Sequence, residues 1–267
     1  MKTIVLLIIV SALSNWCCAQ IISGEKVTLH VPGDYSTIQA AVDAANDGDT
    51  VLVADGTYYE NIKIYSKSII LASHFILDGN EEHITNTILD GSKPIQADTA
   101  SVLLIRNCSG SGPLIKCFTI TGGGGTKNGE DSNRLGGGIF VLASGATIEN
   151  NFITGNTVTE PVSDTYGGGI FAANRVPDMQ INIRNNTIHD NHLQTDNPAS
   201  PAYAEGAGIF IGGEFGLKLV ENNNIYENTA TCIADFKAIG GGIGVGSLEP
   251  WATPIIIRNN RIANNAV

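Results

Sequence analysis

The feature that most constrains this chain is an internal repeat in its second half. Four segments begin Gly-(Gly/Ala)-Gly-Ile, at Gly136, Gly167, Gly206 and Gly240. Each precedes a block of one pattern, which reads aliphatic, any residue, Asn-Asn, any residue, Ile, two of any kind, Asn. The blocks are Ile148–Asn156, Ile183–Asn191, Val220–Asn228 and Ile257–Asn265. Self-similarity of this kind predicts a solenoid of stacked structural repeats.

Each block predicts two short strands joined by a tight corner. Aliphatic, mostly β-branched residues recur at strand spacing, as in Ile148 and Ile153. One Asn of each pair is expected in the left-handed conformation, which Asn tolerates well. Equivalent Asn side chains on stacked coils would lie about 4.8 Å apart and form a hydrogen-bonded ladder. The structural residues are Asn150 and Asn151, Asn185 and Asn186, Asn222 and Asn223, and Asn259 and Asn260.

A whole coil consists of a glycine-led strand, a connection, a second strand, the Asn corner, a third strand and a loop of variable length. The glycine motifs recur at unequal intervals, so the loop lengths differ from coil to coil. The variable loops gather along one edge of the solenoid, where functional loops usually lie. The sequence therefore predicts an all-β, parallel β-helix.

The chain divides into three parts. Residues 1–19 read as a signal peptide, residues 20–50 as an N-terminal cap, and residues 51–267 as the β-helix, with regular coils from about residue 115. A helix over residues 36–46, with Ser36 and Gln39 as a capping box, is expected to cover the open end of the first coil. The chain stops directly after the fourth Asn block, which predicts a C-terminal truncation.

The first nineteen residues indicate where the protein is located, and its net charge indicates which partners it can bind. Lys2 precedes an apolar run that is too short to span a bilayer, so we expect export by a signal peptide, to the outside or the cell surface. A lipid anchor on Cys17 or Cys18 is the rival interpretation. The net charge of -11 argues against nucleic acid as a partner, and no later segment predicts a membrane span. Oligomeric state is left open.

Cysteine usage is sparse after the predicted cleavage. Cys108, Cys117 and Cys232 remain, and their spacing is unlike that of a zinc site. A bridge between Cys108 and Cys117 is the alternative to buried thiols, which we favour.

Several motifs resemble a known family. They are DYSTIQAAVDAANDGDTVLVADGTYYENI from Asp34, TILDG from Thr87, FTITGG from Phe118 and the repeated GGGI and NN blocks. The chain resembles the bacterial right-handed parallel β-helix repeat proteins of the pectin-lyase-like superfamily. The resemblance implies a right-handed β-helix, a fold that hosts many unrelated activities.

Two hydrolytic branches of that superfamily are disfavoured. Gly56, Tyr58 and Glu60 match a motif of the pectin methylesterases, but the later aspartate motifs of those enzymes are missing. We therefore interpret the Gly-x-Tyr-x-Glu stretch as a structural turn. The Asn-Thr-Asp and Gly-Asp-Asp motifs of polygalacturonases are missing too.

A calcium-dependent, pectate-type lyase needs carboxylates that hold calcium and an Arg or Lys that removes a proton. The resemblance places such a cleft along the glycine-led strand and its loops. The candidate bases are Arg175 and Lys237, and the candidate metal ligands are Asp164, Asp196, Glu205 and Asp235. Other loop acids, such as Asp190, are interpreted as solubilising. His189 and His192, three apart, are interpreted as exposed loop histidines rather than a metal pair.

Aromatic side chains are the candidates for carbohydrate binding, because pyranose faces present C–H groups to π surfaces. Phe140, Phe171 and Phe210 share one repeat position and should form a row, with Tyr166 and Tyr203 nearby. The row is either a buried core ladder, which we favour, or a binding strip, since alternation along the strand points the rings outward. A secreted or cell-surface protein that binds extracellular polysaccharide, or acts as an adhesin, is the preferred hypothesis. No cofactor is certain, calcium is the candidate, and a lyase or a structural spacer is the alternative function.

Overall fold

The computed structural model describes residues 25–129, 132–161, 163–195, 202–232, 237–246 and 252–267. The predicted signal peptide lies outside these residues, as do the candidate metal ligands Asp196 and Asp235. The chain folds as a parallel β-helix, which confirms the predicted all-β fold class.

Three sheets form the walls of the solenoid. Sheet A has eight strands, sheet B seven and sheet C six. Sheet A contains β1 (Thr28–Val31), β2 (Thr50–Val53), β5 (Ile70–Ser73), β9 (Leu114–Lys116), β14 (Ala146–Glu149), β19 (Ile181–Arg184), β24 (Lys218–Glu221) and β29 (Ile255–Arg258). Sheet B contains β3 (Gly56–Tyr58), β6 (Thr87–Asp90), β10 (Thr119–Thr121), β15 (Phe152–Thr154), β20 (Thr187–His189), β25 (Asn224–Tyr226) and β30 (Arg261–Ala263). Sheet C contains β4 (Ile62–Tyr65), β8 (Leu103–Arg106), β13 (Ile139–Leu142), β18 (Ile170–Ala173), β23 (Ile209–Gly212) and β28 (Ile243–Val245).

Two further sheets occupy the edge that was predicted to hold variable loops. Sheet D has six strands: β7 (Thr99–Ala100), β11 (Gly125–Asn128), β12 (Asn133–Leu135), β17 (Thr165–Tyr166), β22 (Tyr203–Glu205) and β27 (Lys237–Ile239). Sheet E has three: β16 (Thr157–Glu160), β21 (His192–Thr195) and β26 (Thr229–Cys232). Each regular coil therefore runs through sheets C, A, B, E and D before it returns to sheet C. The variable loops predicted from the sequence are in large part stacked strands.

The main core lies inside sheets A, B and C. Inward positions carry aliphatic residues in register, as in the row Ile148, Ile183, Val220 and Ile257 of sheet A. One cluster of buried residues runs from Leu29 to Ile225 without interruption. A separate small cluster, which includes Val158, Leu193 and Ala204, lies between sheets D and E. The edge strands therefore have a hydrophobic core of their own, which holds them against the solenoid.

The predicted Asn ladder is present at the corner between sheets A and B. Asn151, Asn186, Asn223 and Asn260 stack so that each Nδ2 donates to the Oδ1 of the next, at 3.1, 3.0 and 2.9 Å. The other Asn of each pair has a positive φ of 56° or 57°: Asn150, Asn185, Asn222 and Asn259. One Asn of each pair is left-handed, as predicted. The structure shows that it is the first Asn, and that the second forms the ladder.

A second ladder, which we did not predict, stands at the corner between sheets B and E. The last Asn of each block forms it: Asn156, Asn191, Asn228 and Asn265, with Nδ2 to Oδ1 distances of 2.9, 2.9 and 2.8 Å. The signal for it was the final Asn of the repeat pattern. The two parallel ladders hold both ends of β15, β20, β25 and β30 in register.

The glycine that opens each repeat makes the corner between sheets D and C. Gly136, Gly167, Gly206 and Gly240 have φ between 60° and 72°. A Cβ at Gly167 would lie 2.4 Å from the carbonyl oxygen of Ile170. Only glycine therefore fits this turn, and the turn fixes how sheet D meets sheet C.

An α-helix follows the first strand, as predicted, but its bounds and its cap differ. The helix α1 spans Ile38–Ala44, and the N-cap is Thr37 rather than Ser36. The Glu60 carboxylate accepts hydrogen bonds from the backbone N–H groups of Ile38 and Gln39, both at 2.9 Å. The predicted capping box is wrong because Glu60, from a later coil, satisfies the helix N-terminus. That α1 closes the end of the first coil stays a prediction.

Two short helices, α2 (Phe75–Asp78) and α3 (Glu82–Asn86), lie between β5 and β6 and were not predicted. Cys108 and Cys117 are buried free thiols, as favoured from the sequence. Burial raises the pKa of the Cys117 thiol to about 12.

Candidate functional site

The predicted row of phenylalanines exists on the outward side of sheet C. Phe140 and Phe171 stack with ring centroids 5.4 Å apart, and Phe171 and Phe210 stack at 5.3 Å. Their exposed fractions are 0, 6 and 9 %. The rings belong to a second cluster with Leu104 and Leu135, separate from the main core. The row therefore points outward, as alternation indicates, and is nevertheless buried.

Sheet D provides the cover over these rings. The Tyr166 ring meets the Phe210 ring edge-on at 4.9 Å, and the Tyr166 hydroxyl donates to Asp164 Oδ2 at 2.9 Å. Burial, and then the neighbouring Asp164 carboxylate, raise the pKa of Tyr166 well above its usual value. Tyr166 is therefore a neutral hydrogen-bond donor with one edge of its ring against the phenylalanine stack.

The register of sheet D brings five of the predicted site residues together. Tyr166 pairs with Glu205 on the next strand, and Tyr203 pairs with Lys237 on the strand after that. Asp164 Oδ1 accepts a hydrogen bond from the backbone N–H of Tyr203 at 2.8 Å. Tyr203 is 39 % exposed and Lys237 is exposed. We call Asp164, Tyr166, Tyr203, Glu205 and Lys237 the sheet D site.

Glu205 explains why the phenylalanine row ends at Phe210. The next position in sheet C is Gly244, and a Cβ there would lie 2.6 Å from Glu205 Cγ. The Glu205 side chain thus occupies the space that a fourth ring would need. Burial raises the pKa of Glu205, and a hydrogen bond from the backbone N–H of Val245 opposes that shift. The sheet D site therefore contains a half-buried carboxyl group beside two tyrosines.

Arg175 lies away from the sheet D site. It follows β18, whereas Lys237 precedes the glycine corner that leads into sheet C, so the two candidate bases flank opposite ends of the sheet C strands. The loop after Arg175 contributes Pro177 to a shallow depression that Phe215 also lines. The structure therefore does not bring Arg175 and Lys237 to one place.

Acidic residues do not converge on a metal site in the part of the chain that the structure describes. Among those residues, no group of three or more His, Cys, Asp or Glu side chains could hold a metal ion. Of the four candidate ligands, Asp164 directly precedes β17, and Glu205 ends β22, the neighbouring strand of sheet D. Glu160 is buried and pairs with Arg134 Nε at 3.2 Å.

The sequence predicted that His189 and His192 lie in exposed loops. In the structure both lie in strands instead. His189 ends β20 and His192 begins β21, on either side of the second Asn corner. The His189 ring stacks on the Tyr226 ring at 4.9 Å, and its Nδ1 lies 2.6 Å from Asp190 Oδ2. His189 and Tyr226 share a repeat position, which was the signal for this stack.

Comparison with known proteins found no family model, no curated protein and no solved structure that matches this chain. The resemblance to the pectin-lyase-like superfamily therefore depends on the quoted motifs, and the structure supports it at the level of a parallel β-helix. Within the described ranges, no helix is both long and apolar enough to cross a membrane.

Proposed function

We propose that this protein is a secreted or cell-surface β-helix that binds extracellular carbohydrate through the sheet D site. The observation that carries the proposal is the exposed Tyr203 ring, which has a lysine on one neighbouring strand and polar partners on the other. Binding sites of this kind combine aromatic surface with a few placed polar groups.

The backbone of Tyr203 is anchored by a hydrogen bond, which supports a binding role. The Asp164 carboxylate holds the Tyr203 backbone and the Tyr166 hydroxyl at once, at 2.8 and 2.9 Å. Sheet D is itself held by the phenylalanine stack below it. A backbone that is already ordered loses little conformational entropy when a ligand stacks on the ring that it carries.

The polar groups favour a neutral saccharide. Glu205, two residues from Tyr203 on the same strand, offers an acceptor to sugar hydroxyls, and Lys237 on the neighbouring strand offers a donor. The chain has a net charge of -11, so a polyanionic chain would meet long-range repulsion. We therefore expect neutral polysaccharides to bind more tightly than pectate.

Affinity electrophoresis tests this proposal with gels that contain neutral or acidic polysaccharides. Tyr203→Ala should abolish the retardation of the mature protein in a gel of the bound polysaccharide. Tyr59→Ala is the matched control, because Tyr59 is 51 % exposed and lies near the other end of the solenoid. Retardation by none of the polysaccharides, or equal loss in both variants, would overturn carbohydrate binding at this site.

A calcium-dependent lyase is the second candidate, since Lys237 and Glu205 lie on adjacent strands of sheet D and Asp164 directly precedes the next strand. The assay follows the ultraviolet absorbance of unsaturated products from acidic polysaccharides, with and without calcium. Lys237→Ala should abolish product formation by a lyase, and Arg175→Ala should leave it intact because Arg175 lies elsewhere. If the protein neither binds a polysaccharide nor forms product, a structural spacer is the function that remains.

A further inference from the structure

The helices α2 and α3 form a two-helix insert, residues 75–86, that lies on the outside of the solenoid. The insert contacts β5, β6 and β10. Ile84 is the buried residue of its helices, at 7 % exposed, while Ile76 and Leu77 are 40 and 65 % exposed. Hydrophobic stabilisation scales with the apolar area removed from water. The insert buries little apolar area, so it is only weakly attached to the solenoid.

Polar contacts therefore carry much of the attachment. Thr119, in sheet B, donates its hydroxyl to the carbonyl oxygen of Ile84 at 2.9 Å. His83 makes the other link, with Nδ1 2.6 Å from Oδ1 of Asp55, a residue of the turn between β2 and β3. Asp55 also accepts a hydrogen bond from Thr87, at the start of β6. His83 thus joins the insert to the body of the solenoid.

The second nitrogen of His83 faces a second carboxylate. His83 Nε2 lies 3.4 Å from Oδ2 of Asp78, at the end of α2. His74 is a further titratable group nearby, and its ring meets the His83 ring edge-on at 5.8 Å. Glu82 precedes His83 in α3. A carboxylate only accepts hydrogen bonds, and neutral imidazole carries one N–H. Only the imidazolium form can donate to both carboxylates.

We propose that His83 is a pH-sensitive latch that holds the two-helix insert against sheet B when protonated and loosens it when neutral. The hydrogen bond to Asp55 is the main cause that raises the pKa of His83, and Asp78 adds to it. A raised pKa means that the folded state binds the proton more tightly than the unfolded chain. The stabilisation is therefore complete at acidic pH and is lost as pH rises through the raised pKa.

Loosening would uncover part of the outer face of sheet B. The insert covers that face at β6 and β10, where Ile88 and Thr119 point outward in register. On the neighbouring strands β15, β20 and β25 the same face carries the partly exposed rings of Phe152, His189 and Tyr226. The latch therefore controls how much of sheet B is open to solvent, and it is independent of the sheet D site.

Hydrogen exchange with mass spectrometry tests the latch on the full chain. Protection factors for peptides within residues 75–86 should fall as pH rises from about 5.5 to about 8, after correction for the intrinsic exchange rate. The expected fall is about two- to fivefold, the range of partly exposed ion pairs. His83→Gln should give low protection at every pH, and Asp55→Asn should reduce the pH dependence.

His189→Gln is the matched control. The His189–Asp190 pair has the same 2.6 Å contact but joins adjacent residues, so it should leave the exchange of residues 75–86 and its pH dependence unchanged. Protection that is independent of pH in the wild-type protein would overturn the proposal. Unchanged pH dependence in His83→Gln would overturn it as well, because another group would then be responsible.

Discussion

Replacement of one ladder asparagine by alanine should cost far more stability than the same replacement at its neighbour. Asn186 is 1 % exposed. Its Nδ2 donates to the carbonyl oxygens of Ile148 and Arg184 at 2.9 and 3.0 Å, and to Oδ1 of Asn223 at 3.0 Å. Its Oδ1 accepts from the backbone N–H and the Nδ2 of Asn151, at 3.0 and 3.1 Å.

The magnitude follows from these contacts. Two amide hydrogens and one oxygen support about four effective hydrogen bonds, each worth about 1 kcal/mol net. Alanine removes them and leaves the buried backbone N–H of Asn151 without its partner, which adds to the loss. Asn186→Ala should lower the free energy of unfolding by about 4 kcal/mol.

Asn185 is the matched control, because it is exposed and lies one residue earlier in the same corner. Its φ of 57° makes alanine unfavourable there by about 1 kcal/mol, through the left-handed backbone alone. Asn185→Gly should be nearly neutral. Both alanine variants remove the same atoms, so effects on the unfolded chain cancel in the comparison.

Urea unfolding followed by circular dichroism measures the difference, with the midpoints compared at a common slope. The expected order of stability is wild type and Asn185→Gly, then Asn185→Ala, then Asn186→Ala. If the two alanine variants unfold within about 0.5 kcal/mol of each other, the ladder contributes no more than the turn conformation, and the reasoning is refuted.

Three further outcomes are expected in urea unfolding of the same protein. Glu60→Gln should lower stability by about 1 kcal/mol, since the carboxylate caps the N-terminus of α1; an unchanged midpoint would contradict the cap. Phe171→Ala should cost about 3 kcal/mol because its ring lies between two others; a cost below about 1 kcal/mol would show that the stack is loose. Burial lowers the pKa of Lys218 below 10.5, so the unfolded chain binds this proton more tightly than the folded protein does. The free energy of unfolding of the wild type, relative to that of Lys218→Met, should therefore rise with pH between the lowered pKa and 10.5. A flat difference in that window would mean that the amine is solvated.

The corners of the solenoid could be predicted because their chemistry is local. The conformation of Asn185 follows from the tolerance of Asn for positive φ. An Asn equivalent to Asn186 stands at the same place in every block. The glycine corner at Gly167 is local in the same sense. Sequence periodicity contains this information, since every coil repeats the same requirement.

The cover over the phenylalanine row could not be predicted in the same way. Alternation showed that Phe171 should point outward, but not that Tyr166 would lie over the stack. Sheets D and E arise from segments of different length and composition, so no repeat marked them as strands. Their pairing is between residues on different coils, such as Tyr203 with Lys237, and depends on the register that the rest of each coil imposes.

Because the rest of each coil imposes the register of sheet D, a repetitive scaffold can bring a specific set of side chains together. The ladders fix the register of β15, β20, β25 and β30 in sheet B, and the glycine corners fix the entry from sheet D into sheet C. Residues in sheet D then meet their neighbours on adjacent coils about 4.8 Å apart. The core repeats closely, whereas Tyr203, Glu205 and Lys237 have no counterparts of the same type at the other positions of their rows. A recognition surface needs side chains that vary along an otherwise regular scaffold. We therefore expect ligand specificity at the sheet D site and not at the phenylalanine stack beneath it.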